Sequence, residues 1–511
     1  MTEVLPQILA LNARWRSGDA ALVTDEGALD WAAFDVRTTR VANGLLAAGC
    51  GRGERVGLVM DNTAAMVEVL FGALRAGAAV APLNTSVTDE ALDAMLSDAG
   101  VRSVFAGAKH VPRLSARGLA SVRLRVAEGA TSSVWTDYTT WRDGQPSEPP
   151  QVTIGADDLC NIIYSSGTTG RPKGIAHTHG ARLAWTHDLA HALRYHSQAR
   201  TLVATGLYSN ITWAGMLPTL MLGGTLVIRP AFTAADVLAT IVRERITHMS
   251  LVPVQYQRLL DDPGFDRSDR SSMQAMMCCG APLPVAAKQR LFDTFSCGVI
   301  ELYGSTEGII TTLAPEAARG RMTSVGRPLP GEDLAILDEG DRPLPRGEAG
   351  EVVALSRFAM QGYWKNPEAT AEAFWTDGQG RRWLRSGDIG RLDAEGYLTI
   401  TDRKKDMIIS GGQNVYPADL EAVLMDHPAV ADCAVFGIPS ERWGETPLAL
   451  VVLRRTEGAS ELELLDWANA RLGRQQRLGA VEVRGSLPRN ANGKLLKREL
   501  RAPYWTAPEE T

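Results

Sequence analysis

The feature that most limits the fold is a long alternation of short apolar runs with stretches of helical periodicity. Residues 21–24, 55–60 and 78–83 are apolar runs of strand length, and between them residues 31–48 and 64–76 repeat apolar side chains at helical spacing. Gly49 and Gly77 end the two helical stretches. The alternation resumes with helices expected over 234–244, 254–260 and 284–295, and strands over 202–205, 224–228, 247–251, 275–278 and 298–302. Helices set between strands produce parallel sheets, so the expected fold is α/β with doubly wound sheets. Ligands of such sheets sit beyond the carboxyl ends of the strands. Residues 132–150 are polar and rich in proline and glycine, and read as a surface connection.

Beyond the strand expected at 159–163 runs Tyr164-Ser165-Ser166-Gly167-Thr168-Thr169-Gly170-Arg171-Pro172-Lys173-Gly174. Glycines let successive N–H groups converge on one anion. The hydroxyls add donors, and Arg171 and Lys173 add positive charge, as a polyphosphate requires. No Gly-Lys-Ser/Thr closes the loop, which separates it from a Walker A motif. Two later strand ends carry Gly280-Ala281-Pro282 and Tyr303-Gly304-Ser305-Thr306-Glu307. An aromatic ring beside a bare glycine can stack on a flat base. Thr306 is a donor, and Glu307 is a carboxylate suited to magnesium.

From residue 323 the turns become dense, with short β runs at 334–337 and 351–355, as in a small antiparallel barrel over about 323–400. Asp388, in Arg385-Ser386-Gly387-Asp388, can accept hydrogen bonds from both hydroxyls of a ribose. The charged run Asp402-Arg403-Lys404-Lys405-Asp406 precedes a fresh α+β pattern and marks a domain junction. Near the end, Asn492-Gly493-Lys494 is a turn that presents a cation.

Taken together, Ser-Ser-Gly-Thr-Thr-Gly-Arg-Pro-Lys-Gly, Tyr303–Glu307, Ser386-Gly387-Asp388 and the run from Asp402 resemble the adenylate-forming superfamily in the family's order, and the acyl-CoA synthetases in particular. The resemblance covers nearly the whole chain. It implies an N-terminal AMP-binding domain over 1–401, a hinge at 402–406 and a small mobile α+β domain over 407–511. It implies a carboxylate that attacks the α-phosphorus of ATP, then a coenzyme A thiol that takes the acyl group from the adenylate. Carried over, Ser165, Ser166, Gly167, Thr168, Thr169, Gly170 and Lys173 hold phosphates. Gly280, Ala281, Pro282, Tyr303, Gly304 and Thr306 hold the nucleotide. Thr169 and Glu307 hold Mg2+. Asp388 and Arg403 contact the ribose, Lys405 is the pivot, and Gly412 lines a tunnel for the pantetheine arm. Lys494 is the catalytic lysine, acting with Thr169, Glu307 and Lys173. One departure falls at Gly473–Gly479, where many relatives carry Tyr-Lys-x-Pro; loading a carrier protein instead of coenzyme A is the alternative.

The acid pocket is expected from Tyr208, Asn210, Trp213, Gly280, Gly304 and Ser305. It is mostly apolar and aromatic, with no arginine for a second carboxylate, which favours an aromatic or short-to-medium acid. At 511 residues the chain exceeds one core. A formal net charge of -6 argues against nucleic-acid binding by phosphate neutralisation. The six cysteines form no CxxC, which fits a reducing, cytoplasmic setting. The most apolar run, 214–228, is shorter than the ~20 residues a membrane span needs. Monomer and dimer both remain open.

Overall fold

The computed structural model describes residues 4–116, 119, 121–129, 132, 134–165, 173–410, 413–440, 442–454, 458–473, 476–489 and 495–505. The alternation read from the sequence becomes two sheets in one packing unit, formed by Met1–Met322, Gly326–Asp333 and Leu355–Leu384. One sheet has nine strands. Its centre is the parallel run Thr225–Ile228, Arg200–Val203, His248–Leu251, Ala275–Cys278 and Ile300–Gly304. The other has eight strands, with Ala79–Pro82, Arg55–Val59 and Ser103–Gly107 parallel at its centre. Leu159–Ser165 and Lys173–Thr178 form an antiparallel hairpin near its edge, and Gly362–Tyr363 is the edge strand itself.

Helices start where a hydroxyl or carboxylate can take the first free N–H groups. Thr63 accepts from Met66 at the helix Ala64–Arg75, and Thr178 accepts from Ala181 at the helix His179–Ala192. Ser209 caps a helix that the sequence left without an element, Asn210–Met221. Its internal Pro218 and its unbroken apolar face hid the helical period.

The expected surface connection 132–150 holds a helix, Tyr138–Asp143. The cause is a carboxylate that cannot stay unpaired. Glu68 is 1% exposed on the helix Ala64–Arg75. It accepts from Tyr138 Oη at 2.6 Å, Arg142 Nη1 at 2.9 Å and Arg37 Nη1 at 3.0 Å. A buried charge needs such partners, and two of the three come from the polar stretch.

The second unit comprises Thr323–Val325, Leu334–Ala354 and Arg385–Thr511. In it, residues 388–392 pair antiparallel with Leu398–Arg403. A further sheet runs Gln413–Val415, Ile408–Ser410, Gly444–Leu453 and Val430–Ser440, with Ala480–Val483 parallel to Gly444–Leu453. Among the described residues no helix is long and apolar enough to cross a membrane.

Three buried histidines of the first unit are held neutral. Burial pushes His177 well below the usual value of 6.5, and takes His179 and His248 down to about 4. Unfolded, each ring takes a proton near pH 6.5; folded, it resists until far lower pH. The unfolded state thus binds more protons as pH falls, and stability drops. From pH 6.5 to 5.5 the loss is about 1 kcal/mol for each ring. The melting temperature should therefore fall across this interval, and His248→Gln should flatten the slope. A melting temperature independent of pH from 7.5 to 5.5 would show that the rings carry charge in the fold.

Candidate active site

The carboxyl ends of the parallel strands of the nine-stranded sheet lie side by side, so the segments that follow them share one edge. They are residues 204–210, Val252, 279–282 and 305–307. Asn62 ties down the first segment, donating to Thr205 O at 2.9 Å and accepting from Leu207 N at 2.8 Å. Tyr208 is half-buried, and burial pushes its phenol above the usual value. Gly280 has φ +95°, and a Cβ there would meet Ile211 Cδ1 at 3.0 Å. The start of the helix Asn210–Met221 thus abuts the Gly280 turn. Asn210 Oδ1 and Ser305 Oγ are both buried without a hydrogen-bond partner among the described residues. Trp213 has no exposed surface, and its indole N–H donates to Leu207 O at 2.8 Å. It belongs to the core and lines no open space, a correction to its expected place on the pocket wall.

A buried ion pair braces the Gly280 turn. Lys288 and Glu301 are 2% and 6% exposed and form a close contact through Glu301 Oε2. Glu301 Oε1 accepts from Leu283 N at 3.3 Å, and Lys288 Nζ donates to Met322 O at 2.6 Å. Burial raises the Glu301 pKa, and Lys288 opposes that rise.

The segment Tyr303–Glu307 ends in a tight turn. Ser305 N donates to Ile309 O at 3.0 Å, and Gly308 N donates to Ser305 O at 3.3 Å. Gly308 has φ +124°, and a Cβ there would lie 2.6 Å from Ala359 Cα, so glycine is required. Thr306 O is met from the other sheet by His177 Nε2 at 2.9 Å. The proton position follows from the neighbours. Asn161 Nδ2 and Arg182 Nη2, both donors, approach His177 Nδ1 at 3.2 Å. Nδ1 must accept, so Nε2 carries the hydrogen and donates to Thr306. Arg182 is buried, lies against the Trp185 and Trp213 rings at 4.9 and 5.3 Å, and is brought down to about 10 by burial.

Glu307 is the carboxylate of the turn. Its Oε1 accepts from Tyr363 Oη at 3.0 Å, and its carbonyl accepts from Met360 N at 2.6 Å. Its Oε2 has no partner among the described residues. Magnesium binds through one or two carboxylates together with substrate phosphates and water. A single half-free carboxylate fits that chemistry, and the described residues hold no group of three or more metal-ligating side chains. Lys173 Nζ lies 4.9 Å from the Tyr363 ring centroid. The hairpin register sets Ser165 opposite Lys173, joining the two ends of the glycine-rich loop. Ser166, Gly167, Thr168, Thr169 and Gly170 fall outside the described residues, as does the Ser165 side chain.

In the second unit, Asp388 stands opposite Arg403 in the pairing of Arg382–Leu392 with Leu398–Arg403, with Arg403 Nε 3.2 Å from Asp388 Oδ1. Ser386 Oγ accepts from Asp388 N at 2.9 Å and donates to Val352 O at 2.7 Å. Lys405 is exposed in the turn that follows Arg403. Gly412 and Lys494 lie outside the described residues.

Two stretches of the chain, one long and one short, match known families. The model of the AMP-binding enzyme matches residues 9–364, and that of the AMP-binding enzyme C-terminal domain matches residues 419–494. The chain belongs to the AMP-binding enzyme family. It is 38% identical to a feruloyl-CoA synthase of Amycolatopsis sp over 489 residues, 93% of this chain and 94% of that protein. It is 34% identical to a long-chain-fatty-acid–CoA ligase of Mycobacterium tuberculosis over 481 residues, 93% of each. The solved structure of the anthranilate CoA ligase AuaEII with anthranoyl-AMP superposes with a TM-score of 0.88 at 27% identity, covering 98% of this chain and 97% of that one. This AMP-binding enzyme is an AMP-forming acid–thiol ligase of the acyl-CoA synthetase type.

Sequence reading had named most residues of the strand-end edge. It had passed over His177, Arg182, Lys288, Glu301 and Tyr363, which act on that edge from neighbouring elements. Replacing Lys288 by Met strands a buried carboxylate, a loss of about 3–5 kcal/mol. Urea unfolding should show that loss for Lys288→Met and recovery of most of it in Lys288→Met/Glu301→Gln. A single variant as stable as the parent would mean that the pair contributes nothing.

Proposed function

We propose that this enzyme adenylates an aromatic or short-to-medium carboxylic acid and passes the acyl group to coenzyme A. The reading is carried by the convergence at Glu307, where a half-free carboxylate, Lys173 and the ends of a glycine-rich loop meet.

The first half-reaction brings one anion to another. The carboxylate attacks the α-phosphorus of ATP, and pyrophosphate leaves from the opposite side. Charge is the obstacle, and fixed donors lower it. We assign the phosphates to Lys173, the loop amides between Ser165 and Lys173, the Thr169 hydroxyl and Lys494. One well-aimed donor in such a site is worth ~3 kcal/mol. Glu307 and Thr169 would hold magnesium, which would supply positive charge to the phosphates. Tyr303 and Gly304 take adenine together with Gly280, Ala281 and Pro282, and Asp388 and Arg403 take the ribose. In the second half-reaction the coenzyme A thiol attacks the acyl carbon and AMP leaves, with Gly412 lining the thiol's route and Lys405 as the pivot between the two states.

Tyr208 and Asn210 bound the acid, with Gly280, Gly304 and Ser305. The similarity to the feruloyl-CoA synthase and the anthranilate CoA ligase supports an aromatic one. The cytoplasm is the compartment that keeps the cysteines free, as all six are; finding the protein outside the cytoplasm on cell fractionation would contradict this.

Pyrophosphate release across a panel of acids, with and without coenzyme A, tests the function. Benzoate-like acids and hexanoate should outpace palmitate, and coenzyme A should raise the turnover. A palmitate preference would remove the acid assignment, and release indifferent to coenzyme A would move the acceptor to a carrier protein. Two variants should split the half-reactions. Lys494→Ala should abolish adenylation yet spare thioester formation from supplied acyl-adenylate, and Lys405→Pro should do the reverse. Equal damage to both steps in both variants would end this division of roles.

A further inference from the structure

Tyr363 is fixed more firmly than a surface tyrosine needs to be. Its two-residue strand, Gly362–Tyr363, pairs with Lys173–Thr178, Tyr363 facing Ile175. Gln361 N and Trp364 N donate to Ala176 O and Gly174 O at 2.8 and 2.7 Å. Tyr363 N donates to Thr370 Oγ1 at 2.9 Å. Gly362 cannot take a side chain, because a Cβ there would lie 2.8 Å from Thr370 Cγ2. The backbone is therefore held on both sides, and two contacts remain for the side chain. The hydroxyl reaches Glu307 Oε1 at 3.0 Å, and the ring lies under Lys173 Nζ at 4.9 Å.

We propose that Tyr363 is a positioning residue for adenylation: its hydroxyl locks one oxygen of Glu307 and so leaves the other for the cation, while its ring steadies Lys173. This rests on the assignment of Glu307 and Lys173 above. A carboxylate on a free side chain rotates and presents either oxygen. A fixed phenol removes that freedom, as groups behind metal ligands generally do. A phenol facing a carboxylate oxygen donates its O–H, and the carboxylate can only accept. The ring face adds a cation–π contact for Lys173.

The test is Tyr363→Phe, which keeps the ring and removes only the hydroxyl. Calorimetric ATP binding, titrated with magnesium, should require ~10-fold more magnesium for half-saturation. The rate of thioester formation from supplied acyl-adenylate should stay within about 2-fold of the parent, because a lost partner behind a metal ligand weakens the metal site alone. Glu307→Gln should shift the magnesium titration at least as far, and Tyr363→Phe should add nothing to it in the double variant. Tyr363→Leu, which also removes the ring, should weaken ATP binding further at saturating magnesium. A shifted titration for Glu307→Gln with an unshifted one for Tyr363→Phe overturns the role of Tyr363 alone. An unshifted titration for Glu307→Gln overturns the reading of Glu307, and the Tyr363 proposal with it.

Discussion

The hydrogen bond from His177 to the Thr306 carbonyl joins the two sheets at the point where their chemistry meets. It depends on an uncharged ring with a known proton. Burial excludes the charge, and the donors Asn161 and Arg182 force Nδ1 to accept. A protonated ring would set an Nδ1–H against two donors, one of them the Arg182 cation, and strain the contact that supports the turn before Glu307. The position of the candidate carboxylate therefore follows from the desolvation of a residue on another strand.

The same logic recurs around the edge. Lys288 and Glu301 brace the Gly280 turn through the Leu283 amide, and Tyr363 braces Glu307 through one oxygen. The residues proposed to meet the nucleotide stand on segments after strands, where backbone freedom is needed. The residues that hold those segments stand on strands and helices, where freedom is already spent.

This division explains what the sequence disclosed. Strands such as Ala275–Cys278 and the helix Ala234–Glu244 were legible to the residue, because their apolar periods are clean and bounded. The strand-end positions of Gly280, Tyr303 and Glu307 were legible because their residue types are unusual for a turn. Tyr138 and Arg142 were not, because a polar stretch looks solvated until the carboxylate it serves, Glu68, is known to be buried. Tyr363 stayed hidden for a related reason. It lies 56 residues from Glu307 in sequence, and nothing local marks the contact. Trp213 erred in the other direction: a large aromatic beside pocket candidates belonged to the core.

The two-residue strand that carries Tyr363 has a second effect, on how copies of the protein meet. Lys173–Thr178 would otherwise be the bare edge of an eight-stranded sheet, with N–H and C=O groups free to pair with another chain. Gly362–Tyr363 occupies part of that edge, and the helix Pro367–Glu372 follows at once. So short a strand is a poor template for further pairing. The segment that orients a carboxylate for chemistry thereby also guards the enzyme against aggregation.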